Sequence, residues 1–280
     1  MAAGETNDYN LLMRLIRERL PDSYRMSVLG RLDDLDIVLV EPKHPVKDRK
    51  NVLVISGVHG DEVGGPWSIV RYMEDFGLDK SSVNLSIIPV VNVTAFVRNT
   101  RFNRWEERSD LGFFNERKTP SKESKILLDH GKRLLELGRD GVLSVHEDIT
   151  KDGYYFYLWV KKWVPAFVKK IREVGARNFS LLEDKKYDDL VQESPYHPVD
   201  SGVFNNADDD IETWAYLKGT PLVMVSETPV KGHSVADRAE TGAQIIDLFI
   251  DQVRTMGPES LKRKYASDRI RRVARELDRS

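Results

Sequence analysis

A histidine and a glutamate lie three residues apart directly after a short apolar segment. Residues Val52–Ile55 form a run typical of a buried strand, and the turn that follows carries His59 and Glu62 in the motif HGDE. At this spacing an imidazole nitrogen and a carboxylate oxygen can meet on one ion, as in catalytic zinc sites that keep one open position. The motif is short, however, and a Glu that caps a helix beside a surface His has the same pattern.

Further polar residues follow other predicted strands. The apolar segment Val142–Val145 leads directly to His146, and Pro221–Ser226 leads directly to Glu227. Because ligands of open α/β sheets gather outside the carboxyl ends of the strands, we expect these side chains to share one crevice with His59 and Glu62. A carboxylate there is a candidate general base for an activated water, although it could instead pair with a neighbouring arginine.

The loop after the strand Asn84–Val91 is rich in arginine and asparagine. Its sequence, VNVTAFVRNTRFNRW, starts at Val91, includes Asn92 and offers several hydrogen-bond donors. Guanidinium groups bind carboxylates and developing oxyanions through paired hydrogen bonds, so the loop is a candidate anion-binding pocket. A solvated basic loop is the alternative interpretation.

Composition excludes several classes of protein. The 280 residues include 43 basic and 45 acidic side chains, so no global charge favours nucleic acid or a membrane surface. The sequence has no cysteine, which excludes disulfides, thiolate nucleophiles and cysteine-bound zinc. It also has no apolar run of the length a membrane span needs, and its amphipathic N-terminus differs from a signal peptide. We therefore expect a cytoplasmic protein.

The order of predicted elements favours a single α/β domain. Strands alternate with amphipathic helices over residues 1–255, which predicts a mixed, mostly parallel central sheet flanked by helices. The segment 184–210 is the longest irregular region and is a candidate flap over the site. Residues 256–280 are basic and have helical apolar spacing, so we expect a helical extension that rests on the domain or joins two subunits in an oligomer.

Together these segments resemble the M14 zinc carboxypeptidase superfamily, which includes carboxypeptidase A-like enzymes and the succinylglutamate desuccinylase and aspartoacylase branch. The resemblance runs from about Val52 to Val253 and implies the α/β/α sandwich of that superfamily. It implies that one zinc ion is held by His59, Glu62 and His146. Trp214 precedes Glu227 by thirteen positions, as in the superfamily, which implies that Glu227 is the catalytic carboxylate.

The resemblance also bears on the substrate. It implies that Arg101 polarises the scissile carbonyl. The superfamily's Asn-Arg pair, which binds the substrate carboxylate, has no direct match in SDLGFFNERK, so the predicted replacements are Asn115 with Arg117 or Asn103 with Arg104.

Three functions follow as hypotheses. A zinc carboxypeptidase acting on small peptides is the first, and it is favoured because the chain ends soon after the helix Arg238–Val253 and so lacks room for the extra domain of aspartoacylase-like members. An N-acyl amino acid deacylase is the second. The third is a non-catalytic binding protein on the same fold.

Overall fold

The structure is a computed structural model that describes residues 7–108, 113, 119–161, 164–182, 197–200, 202–205 and 209–257. The described residues form these helices: α1 (Tyr9–Glu18), α2 (Gly64–Asp75), α3 (Val93–Phe96), α4 (Lys122–Asp129), α5 (Gly131–Leu137), α6 (Pro165–Asn178), α7 (Ile211–Leu217) and α8 (Val235–Thr255). They form these strands: β1 (Tyr24–Leu32), β2 (Leu35–Pro42), β3 (Asn51–Ser56), β4 (Asn84–Ile88), β5 (Gly141–Asp148), β6 (Gly153–Val160), β7 (Ser180–Leu181), β8 (His197–Asp200), β9 (Val203–Asn205) and β10 (Leu222–Pro229).

One mixed sheet runs through the described part of the chain in the order β1-β2-β4-β3-β5-β10-β6-β9-β8, with β7 beside β6. Its centre is parallel, because β3 pairs with β4 and β5, and β5 pairs with β10. Antiparallel pairs lie on both sides of this centre, β1 with β2 and β10 with β6. The carboxyl ends of β3, β5 and β10 therefore lie side by side at one edge.

The central strands are buried on both faces. Nearly every residue of β3 and β5 is buried, which explains their continuous apolar sequences. On one face α2 packs closely: a Cβ at Gly65 would lie 2.6 Å from the Val145 carbonyl oxygen. α8 packs against α2 in turn, since a Cβ at Gly242 would lie 2.0 Å from Ser68 Oγ. These layers confirm the predicted α/β class with a mixed sheet flanked by helices.

Three segments depart from a simple alternation of strands and helices. Residues 122–137 form two helices, α4 and α5, which separate at His130, whose Nε2 lies 2.7 Å from the Leu29 carbonyl oxygen. Helix α6 begins at Pro165, a residue that suits a first helical turn. The segment 184–210, predicted to be irregular, contains β8 and β9, and β9 joins the sheet beside β6.

The predicted extension 256–280 lies outside the described residues except for its first two positions, and so does the proposed oligomer contact. Among the helices of the described ranges, none is both long enough and apolar enough to span a membrane.

Candidate metal centre

The HGDE turn follows β3 in a very confined space. A Cβ at Gly60 would lie 2.1 Å from the carbonyl carbon of Ala95, so only glycine fits against this backbone. Ala95 belongs to the short helix α3, which Asn92 caps by accepting a hydrogen bond from the Ala95 N–H. Asn92 therefore shapes the wall behind the turn, and the turn directs His59 and Glu62 to the edge where β5 and β10 end.

Two histidines and a glutamate meet at this edge. Nδ1 of His59 lies 2.6 Å from Oε1 of Glu62, and Nδ1 of His146 lies 2.9 Å from Oε2 of the same carboxylate. One ligand atom from each residue lies within 4.8 Å of the others, and all three residues are buried. The three residues predicted as metal ligands are therefore brought together from two distant segments.

The chemistry and spacing of this set fit a metal ion. Bonds of about 2.0–2.2 Å in a tetrahedral site put ligand atoms roughly 3.4 Å apart, so small side-chain shifts would accommodate a cation. Nε2 of His146 lies 3.0 Å from Ser144 Oγ, which orients the ring and leaves Nδ1 facing Glu62. Burial acts to raise the pKa of Glu62, but His59 and His146 outweigh it and hold that pKa below its ordinary value.

Glu227 lies directly beside His146. The two residues are partners in the parallel pairing of β5 with β10, and Tyr155 on β6 is the partner of Glu227 on its other side. Paired residues of neighbouring strands point to the same face of a sheet, so His146, Glu227 and Tyr155 form one row. Burial and the carboxylates of Glu62 and Asp148 raise the pKa of Glu227 well above its ordinary value.

Arg101 reaches the metal centre from the arginine-rich loop. Its Nη1 donates a 3.0 Å hydrogen bond to Oε1 of Glu62, while nearly half of its side chain stays exposed. The guanidinium thus lies next to the proposed ligands at a position that a substrate can approach.

A buried ion pair supports the centre from behind. Glu147 Oε1 accepts a 2.7 Å bond from Arg238 of α8, and Glu147 Oε2 accepts a 2.9 Å bond from the N–H of Gly64 at the start of α2. The N–H of Glu147 itself donates to Glu62 Oε2 at 3.2 Å. Burial raises the pKa of Glu147 to about 7, and Arg238 acts against that shift. Sequence reasoning did not find this pair, because an arginine in an amphipathic helix is usually solvated.

A cavity of about 420 Å³ opens in front of these groups. His59, Glu62, Arg101, His146 and Glu227 all line it. The aromatic side chains of Tyr155, Tyr157 and Trp159 on β6 form part of its wall. Arg108, three residues after the arginine-rich loop, and Glu212 of α7 also line the cavity, and sequence reasoning did not single them out.

Asn103 and Arg104, two of the residues predicted to bind substrate, do not line this cavity. Asn103 is fully buried, and its side chain binds Glu107 and Glu123 and accepts bonds from nearby backbone N–H groups. It organises the loop. Arg104 forms an ion pair with Asp33 on the surface. The other predicted pair, Asn115 and Arg117, lies outside the described residues.

No family model matches the chain, and no curated protein matches it. Several solved structures are similar to the chain. A provisionally named metallopeptidase from Shewanella denitrificans OS217 is 29% identical, with a TM-score of 0.78 over 89% of this chain and 92% of the other. Another from Shewanella amazonensis SB2B is 27% identical, with a TM-score of 0.79 over 89% and 95%. A metallo-carboxypeptidase from Burkholderia cenocepacia is 16% identical, with a TM-score of 0.63 over 88% and 69%, and shares the fold.

Proposed function

The chain belongs at superfamily level to the M14-like metallopeptidases, and from this premise we propose that it is a metal-dependent hydrolase of the carboxypeptidase kind, cleaving an amide bond next to a carboxylate. The observation that carries the proposal is the meeting of His59, Glu62 and His146 at the mouth of a cavity that Glu227 also lines. The same arrangement argues against a non-catalytic binding protein, which has no need of a base beside a metal site.

His59, Glu62 and His146 are the proposed ligands of one zinc ion. Two imidazole nitrogens and one carboxylate, with cavity space on the remaining side, are the donor set of catalytic zinc sites. When bound, such an ion supplies Lewis-acid polarisation of the scissile carbonyl and of the attacking water.

Glu227 is the proposed general base. Its carboxylate accepts a proton from the attacking water and delivers it to the leaving amine as the tetrahedral adduct collapses. Burial and the neighbouring carboxylates raise the pKa of Glu227, so this carboxyl holds the proton taken from water more readily than an exposed glutamate would. Such catalysis contributes typically about 10²- to 10⁴-fold in rate.

Arginines supply the proposed contacts to substrate oxygens. Arg101, already beside Glu62, stabilises the negative charge that develops on the carbonyl oxygen. Arg108 lines the cavity and is the cation that we assign to the substrate carboxylate. Asn115 and Arg117 stay predicted partners of that carboxylate.

A metal analysis and a substrate panel test the proposal. Purified protein is assayed for bound zinc and then with blocked peptides and with N-acetyl and N-succinyl amino acids. We expect zinc in a ratio of about one per chain and release of the C-terminal residue of peptides. In Glu227→Gln we expect zinc to be retained and the rate to fall by about 10²-fold or more.

The possible results lead to different conclusions. If only the N-acyl amino acids were hydrolysed, the protein would be a deacylase rather than a carboxypeptidase. A Glu227→Gln variant with zinc and full rate would refute the assignment of the base. Absence of any hydrolysis by zinc-loaded protein would refute the proposed function.

A further inference from the structure

A second cavity, of about 620 Å³, adjoins the HGDE turn. Asp61 and Val63, the residues on either side of Glu62, line it together with residues at the start of α8. No residue of the described chain lines both this second cavity and the one in front of His59 and Glu227. Its volume lies in the range of small-molecule sites, and the proposed reaction makes no use of it.

Asp61 is an acceptor without a partner at the second cavity. Its carboxylate forms no ion pair or hydrogen bond with another side chain in the described ranges, and its Oδ1 is enclosed by protein. Enclosing a carboxylate oxygen costs free energy unless a donor or a cation compensates it. The residue therefore favours a ligand that brings an ammonium group, which supplies both a donor and the opposite charge.

Arg238 supplies donors to the same cavity. Only 5% of the residue is exposed; its Nη1 donates to Glu147 at 2.7 Å and its Nε donates to the Ser234 carbonyl oxygen at 3.3 Å. Its Nη2 forms no hydrogen bond with a residue of the described structure, so two N–H groups of a buried guanidinium are left for a ligand. Carboxylates accept strong hydrogen bonds from such groups.

The start of α8 adds further donors. Ser234, which caps the helix, and Val235, its first residue, both line the second cavity. The cap accepts the N–H of Asp237, but the N–H groups of Val235 and Ala236 have no carbonyl partner within the helix. The positive end of a helix of 21 residues also favours a negatively charged group.

The charges of the second cavity favour a ligand that carries both signs. Apart from His233, its ionisable lining residues in the described ranges are Asp61 and Arg238, and Glu147 already neutralises Arg238. A ligand with only a carboxylate would meet the uncompensated charge of Asp61. A ligand with only an ammonium group would leave the donors of Arg238 and α8 without an acceptor.

We propose that the second cavity binds a zwitterion with a free ammonium group and a free carboxylate, either an α-amino acid or a short peptide. Asp61 pairs with the ammonium group. Nη2 of Arg238 and the first N–H groups of α8 bind the carboxylate. The site is separate from the candidate metal centre, and the proposal does not depend on hydrolysis.

Three small ligands without an amide bond separate the two contacts. Alanine carries both charges, propionate lacks the ammonium group, and ethylamine lacks the carboxylate. Calorimetric titration of the purified protein measures the Kd of each. We expect alanine to bind at least about tenfold more tightly than either analogue, the worth of a hydrogen bond to a charged group. Trialanine, titrated into Glu227→Gln so that it is not consumed, distinguishes a short peptide from a free amino acid as the better ligand.

Variants locate the binding. Asp61→Asn keeps the shape of the side chain and should weaken alanine binding by about tenfold or more, while Asp22→Asn, at an exposed turn, should not change it. Arg238→Lys keeps a cation beside Glu147 but lacks the guanidinium, and it should also weaken binding; denaturant titration checks that it is folded. His146→Ala removes a proposed metal ligand and should bind alanine as the native protein does.

Equal affinity for alanine, propionate and ethylamine, or no binding of either zwitterion, would overturn the proposal. So would an unchanged affinity in Asp61→Asn. Loss of alanine binding in His146→Ala with full binding in Asp61→Asn would place the ligand at the metal centre and would also refute the site. Because all these measurements follow binding alone, failure of the proposed hydrolysis and failure of this site give different results.

Discussion

Glu147 and Arg238 form a buried ion pair at 2.7 Å that joins β5 to α8 directly behind the candidate metal centre. Neither side chain has appreciable contact with solvent. Glu147 also binds the first turn of α2 and, through its N–H, the carboxylate of Glu62. The pair therefore couples the packing of α8 to the position of a proposed metal ligand.

Breaking this pair should destabilise the protein. We expect Arg238→Met to lower the free energy of unfolding by about 3–5 kcal/mol, because it leaves the Glu147 carboxylate buried without its cation. Denaturant titration measures the change. The double variant Glu147→Gln with Arg238→Met should recover part of the loss, since it removes the charge as well. A single variant as stable as the native protein would show that the pair has no structural role.

Zinc should stabilise the folded protein through the predicted ligands. A ligand that binds only the folded state at a hundred times its Kd adds about 2.7 kcal/mol, so zinc should raise the Tm and a chelator should reverse the rise. His146→Ala should lose most of this response. His44→Ala, which changes an exposed histidine in a turn, should keep it. If zinc raised the Tm of His146→Ala as much as that of the native protein, His146 would not be a metal ligand.

Replacing Arg101 should slow hydrolysis without removing the metal. We expect Arg101→Ala to lower kcat by about 10²- to 10³-fold, the usual cost of one oxyanion donor. Steady-state kinetics with a metal assay on the same sample gives the result. Arg104→Ala is the matched control from the same loop, because its guanidinium pairs with Asp33 on the surface. Equal rates for the two variants would remove Arg101 from the mechanism.

Adding one methyl group at Gly60 should displace the HGDE turn. The new Cβ would overlap the Ala95 backbone, so we expect Gly60→Ala to cost about 1–3 kcal/mol of stability and to weaken zinc binding. Gly257→Ala is the control, since a Cβ there meets no atom within 4 Å in the described structure. Thermal unfolding with and without zinc compares the two. Similar Tm values for Gly60→Ala and Gly257→Ala would show that the HGDE turn accommodates the methyl group without loss of stability.

The fold should lose stability in alkaline solution partly through Tyr24. Burial raises the pKa of Tyr24 to about 12, above the value of about 10 for an exposed tyrosine. The folded state thus holds this proton more tightly than the unfolded state does. The stability from this group is complete below pH 10 and falls by about 2–3 kcal/mol as the pH rises toward 12.

Denaturant titrations of native protein and Tyr24→Phe between about pH 9 and 12 test this expectation. At the lowest pH of the series, the free energy of unfolding of Tyr24→Phe should be lower than that of the native protein by about 1 kcal/mol, since the variant lacks the hydrogen bond from Tyr24 to the Leu78 carbonyl. Its stability should then decline less steeply with pH than that of the native protein. Parallel curves would show that Tyr24 does not contribute.

Much of the proposed reaction centre could be predicted from local sequence. His59, Glu62, His146 and Glu227 each stand near the end of a segment with a clear apolar pattern, and parallel pairing brings such ends together. The short strands β8 and β9 were not predicted: they pair with each other over only a few residues, and β9 enters the sheet by pairing with the distant strand β6.

The sequence also could not show which hydrogen-bond partner each polar side chain has in the folded protein. Asn103 has the same residue type as a substrate ligand, but its neighbours in space are Glu107 and Glu123, which occupy its amide. Glu212 looks like an ordinary acidic residue in a first helical turn. Its burial and the lack of a partner for its Oε1 within the described structure distinguish it from a solvated charge.

The proposed metal ligands are shared between the turn after β3 and the strand β5, and the N–H of Glu147 reaches Glu62 across 85 residues of chain. Contacts of such large sequence separation form late in folding, because a long loop must close first. A newly made chain therefore cannot assemble the full ligand set before its sheet is built. We therefore expect the proposed metal site to form only once β3 and β5 are paired, and a misfolded chain to lack it.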